Sequence, residues 1–473
     1  MRIAIAGASG FVGQLLQEDL RDKFDLIALG RSGPAPSQLV QAIGHQSVWR
    51  SCDLFSLLQV EKALEGADVG IYLVHSMLPS ATLTQSTFED SDLLLADNFG
   101  RAAKKVGLKR IIYLGGLIPS GPELSQHLRS RQEVEQALGR YGIPVTTLRA
   151  GLILGPQGSS FQMLYLLVKR LPMMLCPRWT RTLTQCVAAS DVVELIRFCL
   201  QDERTVGGTY DLGSPEVLSY RQLMATLAEE MGLKRKMFSV PFFSPGLSRL
   251  WVQLITGGSR NLVAPLVESL RHEMVVRDPT LLRLYGRPLV GVREALRRCL
   301  VKITPTLRSS TRNRQKQLRG LSEVRSIQRL PKPAGKSAAW VAEEYFRWLP
   351  RFLKPWILVY SGSESGTWIF RLAFLNVPLL ILSHSLDRST PDRQLFYIRG
   401  GLLAKSQQSP NARLEFREAL NREVSLAAIH EFRPALPWMI YKYTQAVLHL
   451  WVMRSFRRHL IRIARTSESI ESK

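Results

Sequence analysis

The chain has 473 residues, of which 45% are apolar, and a formal net charge of +24. That length is enough for two or three domains with full cores, and the apolar share excludes a disordered or fibrous chain. The charge implies contact with something acidic: a phosphorylated ligand, nucleic acid or an anionic membrane surface.

The first residues, Arg2 to Ala6, form a short apolar strand that runs straight into Gly7-x-x-Gly10-x-x-Gly13, and a helix is expected over residues Phe11 to Leu20. A strand, three spaced glycines and a helix are what a dinucleotide pyrophosphate requires. Gly7 permits the tight turn, Gly10 lets the backbone approach the phosphates, and Gly13 lets the helix pack near the strand. The expected cofactor contacts here are Gly7, Ser9, Gly10, Phe11, Val12 and Gly13. A second strand from Asp25 ends in Gly30-Arg31-Ser32. A free ribose 2′-hydroxyl calls for an acid at this strand end, whereas a 2′-phosphate calls for a cation and hydroxyl donors. Arg31 and Ser32 therefore favour NADP(H), in particular NADPH, over NAD.

Alternation continues. Ser51-Cys52-Asp53-Leu54 closes a strand, a helix runs through Val60 to Leu64, and Ala67 to His75 is a buried strand. Residues Phe88 to Val106 read as a long helix, Arg110 to Gly116 as a strand, Ser130 to Leu138 as a helix and Val145 to Arg149 as a strand. This pattern predicts an α/β fold with a doubly wound parallel sheet and right-handed crossovers. From Phe161 to about Val301 short strand-like pieces sit among helices, as expected for segments building the substrate side of a cleft. The cofactor part spans about 1–155 and the substrate-side part about 156–301.

Residues 302–337 are dense in arginine and lysine and read as a basic linker. Residues 338–465 read as an α+β domain: a helix over Trp340 to Leu353, then antiparallel strands Thr367 to Phe374, Pro378 to Ser385, Arg393 to Ala404, Ala412 to Leu420 and Glu423 to Phe432. One long C-terminal helix, Pro437 to Arg465, follows, and 466–473 is a polar tail. Six of the nine tryptophans lie in this region, which suits a core more than a ligand cage. Between its strands and its long helix either an apolar cavity or a fully packed core is expected. The first half of that helix should pack inside. Its second half carries Arg454, Arg457, Arg458, Arg462 and Arg465. Such a run suits either an anionic membrane surface or cations held at a helix C-terminus by the macrodipole. No apolar run reaches the roughly 18 residues needed to cross a bilayer.

The five cysteines, Cys52, Cys176, Cys186, Cys199 and Cys299, lack metal-ligand spacing and suggest free thiols in a reducing cytoplasm. The chain opens on its first strand, so a secretory signal is not expected. No metal site is expected, since His384, His430, His449 and His459 are scattered. No Gly-x-Ser-x-Gly elbow occurs, which leaves a hydrolase triad unsupported.

Over residues 1 to about 300 the chain resembles the atypical and extended short-chain dehydrogenase/reductases, a superfamily of NAD(P)-binding Rossmann proteins that includes epimerases and dehydratases. The resemblance rests on GASGFVG at 7–13, GRS at 30–32, Asp53-Leu54, YLVHSM at 72–77, RIIYLGGL at 110–117, Leu148-Arg149 and the Ala189-Ser-Asp191 segment. YLVHSM, HLRSR at 127–131 and FFSPGLSRLW at 242–251 are similar to a subgroup carrying a C-terminal domain of unknown function, DUF2867. The last 130 residues resemble a helix-grip domain. The resemblance implies that Asp53 and Leu54 hold the adenine and that Val74 and His75 line the ribose and pyrophosphate. It does not supply the usual catalytic set. Gly115 and Gly116 stand where the serine belongs, and His127-Leu-Arg-Ser-Arg131 stands in place of Tyr-x-x-x-Lys. Arg131 can hold a ribose hydroxyl or a phosphate, but its guanidinium stays charged and does not accept protons. His127, and secondarily His75, are the candidate acid/base groups. The expected function is NADP(H)-dependent oxidation, reduction or isomerisation of a bulky apolar small molecule, or alternatively cofactor binding without turnover, as in a sensor or assembly factor. Nucleic acid is not an expected partner; an anionic membrane face is a peripheral one.

Overall fold

The structure is a computed structural model. It describes residues 1–31, 45–76, 83–121, 123–240, 245–303, 323–362, 366–374, 377–405, 409–421 and 423–471, the side chains of 245–249, 251, 260–261 and 467–471 excepted. Ser32 and Met77 lie outside them. The chain divides into two compact units, residues 1–78 with 95–314, and residues 79–94 with 315–473.

The first unit is built on seven parallel strands: β1 (Arg2–Ala6), β2 (Asp25–Gly30), β3 (Ser47–Ser51), β4 (Val69–Tyr72), β5 (Arg110–Gly116), β6 (Val145–Ala150) and β7 (Thr209–Leu212). They lie side by side in the order β3-β2-β1-β4-β5-β6-β7, with every neighbouring pair parallel. The order reverses between β1 and β4. Ligands of open α/β sheets bind at such a reversal, beyond the strands' C-terminal ends. Ile3, Ala4, Ile5 and Ala6 are wholly buried. A strand covered on both faces reads as a continuous apolar run, which is why the sequence marks it so clearly. Helix α1 (Phe11–Leu20) buries Gly13, Leu16 and Leu20 on one side. Helix α2 (Leu57–Leu64) is one turn longer at its start than its sequence suggests. Helix α3 (Phe88–Val106) brings Phe99 edge-on to Tyr72, with ring centroids 5.1 Å apart. Gly70 on β4 leaves room for that ring, since a Cβ there would stand 2.9 Å from it. Helix α4 (Gln126–Gly139) follows β5. Helices α5 (Ser159–Arg170), α6 (Ala189–Gln201), α7 (Tyr220–Glu230), α8 (Pro245–Thr256), α9 (Arg260–Ser269), α10 (Thr280–Tyr285) and α11 (Val292–Lys302) follow in the same unit, with three short two-stranded pairings among the described residues. All five cysteines are free and buried.

The second unit is an eight-stranded sheet. Its order is Ile357–Ser361, Thr367–Leu372, Pro378–His384, Arg393–Gly400, Arg413–Ala419, Val424–Phe432, Val324–Pro331 and Leu83–Gln85. Neighbours are antiparallel except the last pair, which is parallel. Two expectations change here, and between two alternatives the structure favours one. Part of the basic stretch expected as a linker, Val324–Pro331, is an interior strand. One of its charges is met by a partner far away in sequence: Arg329 donates to Asp90 at 2.7 Å. The long helix is two, Trp438–Tyr443 and Gln445–Glu471, separated at Thr444, whose φ of −120° and ψ of −85° are not helical. The second piece runs through most of the expected polar tail. Finally, the space between sheet and helices is filled by rings, the packed core rather than the cavity. Tyr345 of the helix Ala338–Leu353 lies 5.3 Å from Phe416 and 5.1 Å from Phe456, and Phe346 stacks on Trp368 at 4.7 Å.

Neighbouring strands of this sheet also bury a carboxylate. Glu415 is 1% exposed and accepts from Arg393 at 2.8 Å, while Arg417, also 1% exposed, pairs with it from its own strand. Burial pushes the Glu415 carboxyl up, but the two guanidiniums outweigh it and hold it well below the usual carboxylate range. A depressed native pKa gives stability that is present above the unfolded value and is lost as pH falls through the native one. Glu415→Gln leaves two buried cations short of their counter-charge and should destabilise the unit by about 3–5 kcal/mol. Denaturant unfolding at neutral pH, followed by the fluorescence of the local tryptophans, measures this. The deficit should shrink as pH is lowered and the native carboxyl protonates.

Candidate functional site

The site begins at the turn between β1 and α1. Gly7 has φ of +91°, in the region that favours glycine, and its Cα faces the backbone of Leu73 at the end of β4. The Gly10 amide donates to the Gly7 carbonyl at 2.9 Å, closing the turn, and Gln14 donates back to the Gly10 carbonyl to start the helix. Among the described residues no side chain caps α1. Its first amides therefore face the turn with the positive end of the helix dipole behind them. A Cβ at Gly13 would stand 2.3 Å from the Gly7 carbonyl oxygen, so this glycine is needed for helix and turn to touch at all. A Cβ at Gly10 would meet only that same oxygen, at 3.1 Å, and otherwise open space. Gly7 and Gly13 thus have internal reasons to be glycine. Gly10 opens a cradle that a side chain would fill, and that cradle fits a pyrophosphate. Phe11 packs against Gly155, where a Cβ would lie 2.1 Å from its ring.

Arg31 follows β2 and is exposed. Its carbonyl accepts from the Ser51 hydroxyl at 3.3 Å. Gly30 before it is glycine because the Trp49 ring occupies the place of its side chain, 2.3 Å from a would-be Cβ. Beyond β3, the Asp53 amide donates to Gln59 and the Asp53 carboxylate accepts from the Phe55 amide, which fixes the loop. Burial, then the charge of Asp53, push the Cys52 thiol up to about 12, which removes it as a nucleophile at neutral pH. Asn98 on α3, wholly buried, donates to the Leu54 carbonyl at 2.8 Å and holds this loop from below. Sequence reading missed Asn98, which is one of several buried polar residues of this helix, with Ser91, Asp92 and Asp97.

Val74 and His75 follow β4, and His127 stands in the first turn of α4. The rings of His75 and His127 are 5.1 Å apart. The two candidate acid/base residues, 52 positions apart in sequence, thus share one place. Arg131, one turn further along α4, is buried, and its Cγ lies 3.5 Å from where a Gly116 Cβ would be. Of the two glycines standing in for the usual serine, Gly115 is imposed by the Tyr113 ring, 2.9 Å from a would-be Cβ, whereas Gly116 has room for a side chain. Tyr113 is 1% exposed and donates to the Arg131 carbonyl at 3.1 Å, so it serves the core.

His127 also lines a cavity of about 140 Å³. Gly116, Ala150 and Gly151 form its floor at the strand ends. Its walls come from α5, α7, α8 and α9 and from Trp179, and among the described residues no acidic, lysine or arginine side chain lines it. Helix α5 is buried from Phe161 to Val168 without a break. A helix apolar all round is the sequence signal for this wall, and it was available in the chain. Trp179 meets Tyr220 edge-on at 6.1 Å across the far end.

No family model matches the chain. The auxiliary protein GraX of Staphylococcus aureus is 31% identical over 146 residues, which are 31% of this chain and 43% of that protein, so the match spans less than half of that relative. Among solved structures, a nucleoside-diphosphate-sugar epimerase from S. aureus aligns with a TM-score of 0.52 at 16% identity, covering 63% of this chain and 100% of that one. Triphenylmethane reductase from Citrobacter sp. aligns with a TM-score of 0.50 at 19% identity, over 64% and 100%. The NADPH-dependent quinone oxidoreductase of Escherichia coli, complexed with NADPH, aligns with a TM-score of 0.50 at 18% identity, over 63% and 99%. The first unit therefore has the fold of epimerases and reductases of this kind.

The glycine geometry separates two roles. Gly13→Ala should cost about 1–3 kcal/mol through overpacking against the Gly7 carbonyl, while Gly10→Ala should unfold close to the unsubstituted chain. Thermal unfolding of both variants, compared with the parent, reads this difference.

Proposed function

We propose that the first unit binds NADP(H) and acts as an oxidoreductase or isomerase on a bulky, largely apolar small molecule. One observation carries the reading: at the reversal of strand order, an open glycine turn lies in the same unit as a histidine pair, and His127 of that pair lines a largely apolar cavity. Reductases that share this fold, one of them solved with NADPH, support it.

In this reading Gly7, Ser9, Gly10, Phe11, Val12 and Gly13 hold the pyrophosphate, and Arg31 with Ser32 holds the 2′-phosphate. Asp53 and Leu54 hold the adenine. Val74, His75 and Arg131 line the ribose and phosphate side. When bound, the cofactor supplies or accepts a hydride. The protein supplies proton control and exclusion of water. His127, at the cavity wall, gives a proton to a substrate oxygen or takes one from it near neutral pH. His75 stands behind it and orients the ring. Arg131 stays charged and positions without transferring protons. The apolar side chains on the wall, Met163, Leu164, Leu167, Met224 and Val252 among them, suit a bulky apolar substrate.

A second reading, cofactor binding without turnover, is favoured by Tyr113. The tyrosine nearest the usual catalytic position is committed to the core through the Arg131 carbonyl. Screening quinones and other apolar carbonyl acceptors with NADPH separates the two: tight binding with no oxidation of NADPH by any acceptor supports the second.

NADPH should bind about tenfold or more tightly than NADH, the size of a charge-assisted phosphate contact. Arg31→Ala should erase the preference while leaving NADH binding unchanged. Calorimetric titration of both cofactors gives the answer, and equal affinities in the parent chain would sink the assignment. Gly10→Val, which fills the cradle, should abolish binding of both cofactors in a chain that still folds.

If turnover is found, His127→Ala should slow it by roughly 100-fold or more with cofactor affinity retained. An unchanged rate in this variant would move the acid/base role elsewhere.

A further inference from the structure

The helix Gln445–Glu471 of the second unit has two faces of opposite kind. One is core: Ala446, Val452, Met453, Phe456 and Leu460 are all at most 7% exposed. The other is bare. Val447 is 55% exposed, Leu448 44% and Trp451 50%. The short helix Trp438–Tyr443 before it adds Met439, Ile440 and Tyr443 at 51–64% exposure. This half of the segment was expected to pack inside, and these side chains face outward instead.

Beyond Trp451 the outward stripe changes character without changing face. Residues 447, 451, 454, 458, 462 and 465 are spaced by four, three, four, four and three. That spacing keeps them on one line along a helix. They are Val447, Trp451, Arg454, Arg458, Arg462 and Arg465, and all are exposed. No acid interrupts them. A cation at a helix C-terminus answers to the dipole only within the last turn, whereas Arg454 and Arg458 stand in the middle of this helix, so the dipole does not account for them. The aromatic start is also reinforced. Trp451 packs on Phe352 at 4.5 Å, and Phe352 stacks on Trp348 at 4.4 Å, so the exposed indole is held by a rigid base.

We propose that this stripe is a docking surface for an anionic lipid bilayer. The helix lies along the surface, with Ile440, Tyr443, Val447, Leu448 and Trp451 entering the headgroup boundary and the four arginines resting on lipid phosphates. An apolar line flanked by aromatic rings and continued by arginine alone is complementary to such a surface in both polarity and charge. A second copy of the chain would meet the arginine line with the same positive charge, and the chain's net charge of +24 works against self-association there. No helix among the described residues is long and apolar enough to cross a membrane, so the contact is peripheral. The proposal is independent of what the first unit binds.

The test uses the full chain and co-sedimentation with phosphatidylcholine vesicles, with and without phosphatidylglycerol, at low and high salt. Binding should need the anionic lipid and weaken with salt. Arg454→Glu/Arg458→Glu/Arg462→Glu should reduce the partition coefficient on the order of 100-fold, and Val447→Ser/Trp451→Ser about tenfold. The arginine variant changes only exposed side chains, so its thermal unfolding should match the parent's. Val447→Ser/Trp451→Ser also loses the Phe352 contact, and its binding is read at a temperature where circular dichroism shows it folded. Absence of binding by the parent, or undiminished binding by either variant, overturns the proposal. So does a dimer in light scattering that both variants dissolve, because a second copy would then cover the stripe.

Discussion

The contact between the first turn of α1 and the Gly7 carbonyl underlies the rest of the first unit. With no side chain at Gly13, the helix starts directly on the turn that ends β1, and its dipole points at the space beyond the strand. Lift the helix by the thickness of one methyl group and that space changes shape. Leu73 of β4, pressed against Gly7 from the other side, would lose its neighbour, and with it the placement of Val74 and His75. The phosphate cradle and the histidine pair are thus two outcomes of one close approach between backbones.

This explains why so much of that site was legible in the chain. Backbone contacts that tolerate no Cβ leave glycine as their only solution, and β1, β4 and β5 write themselves as apolar runs because helices cover both faces. What could not be read was whether a given glycine is needed by the fold or by a ligand. Gly30 looked like part of a cofactor fingerprint, yet the Trp49 ring from the neighbouring strand suffices to require it. Gly115 answers to Tyr113 in the same way. The Trp49 contact is set by strand register, which a sequence window does not contain, whereas the Tyr113 contact depends on the way a ring two residues earlier on the same strand is turned.

The second unit shows the opposite case. Its strand Val324–Pro331 reads as V-R-S-I-Q-R-L-P, and its arginines argue for a solvated tether. Yet Arg325 is buried and Arg329 half-buried, and Arg329 meets Asp90, which arrives from a remote position. Charge pattern misleads wherever burial is made tolerable by a distant counter-charge. The helix break at Thr444 was invisible for another reason: neither proline nor glycine marks it. The aromatic content of the region suited a packed core better than a ligand cage, and the rings are in mutual contact within that core.

The eight-stranded sheet takes its last strand, Leu83–Gln85, from a stretch of chain that precedes its other members by more than two hundred residues. Gln328 reaches back to the Gln85 carbonyl across 243 positions. On a ribosome adding 5–20 residues per second, that strand would emerge roughly 12–50 s before the one it pairs with. Throughout that interval the hydrogen-bonding edge of Leu83–Gln85 would be open, and the sheet would gain its border only near the end of synthesis. The same discontinuity bears on dissection of the protein. A fragment beginning at Val324 would expose an unpaired strand that the whole chain covers, and an exposed edge of this kind invites association with other chains.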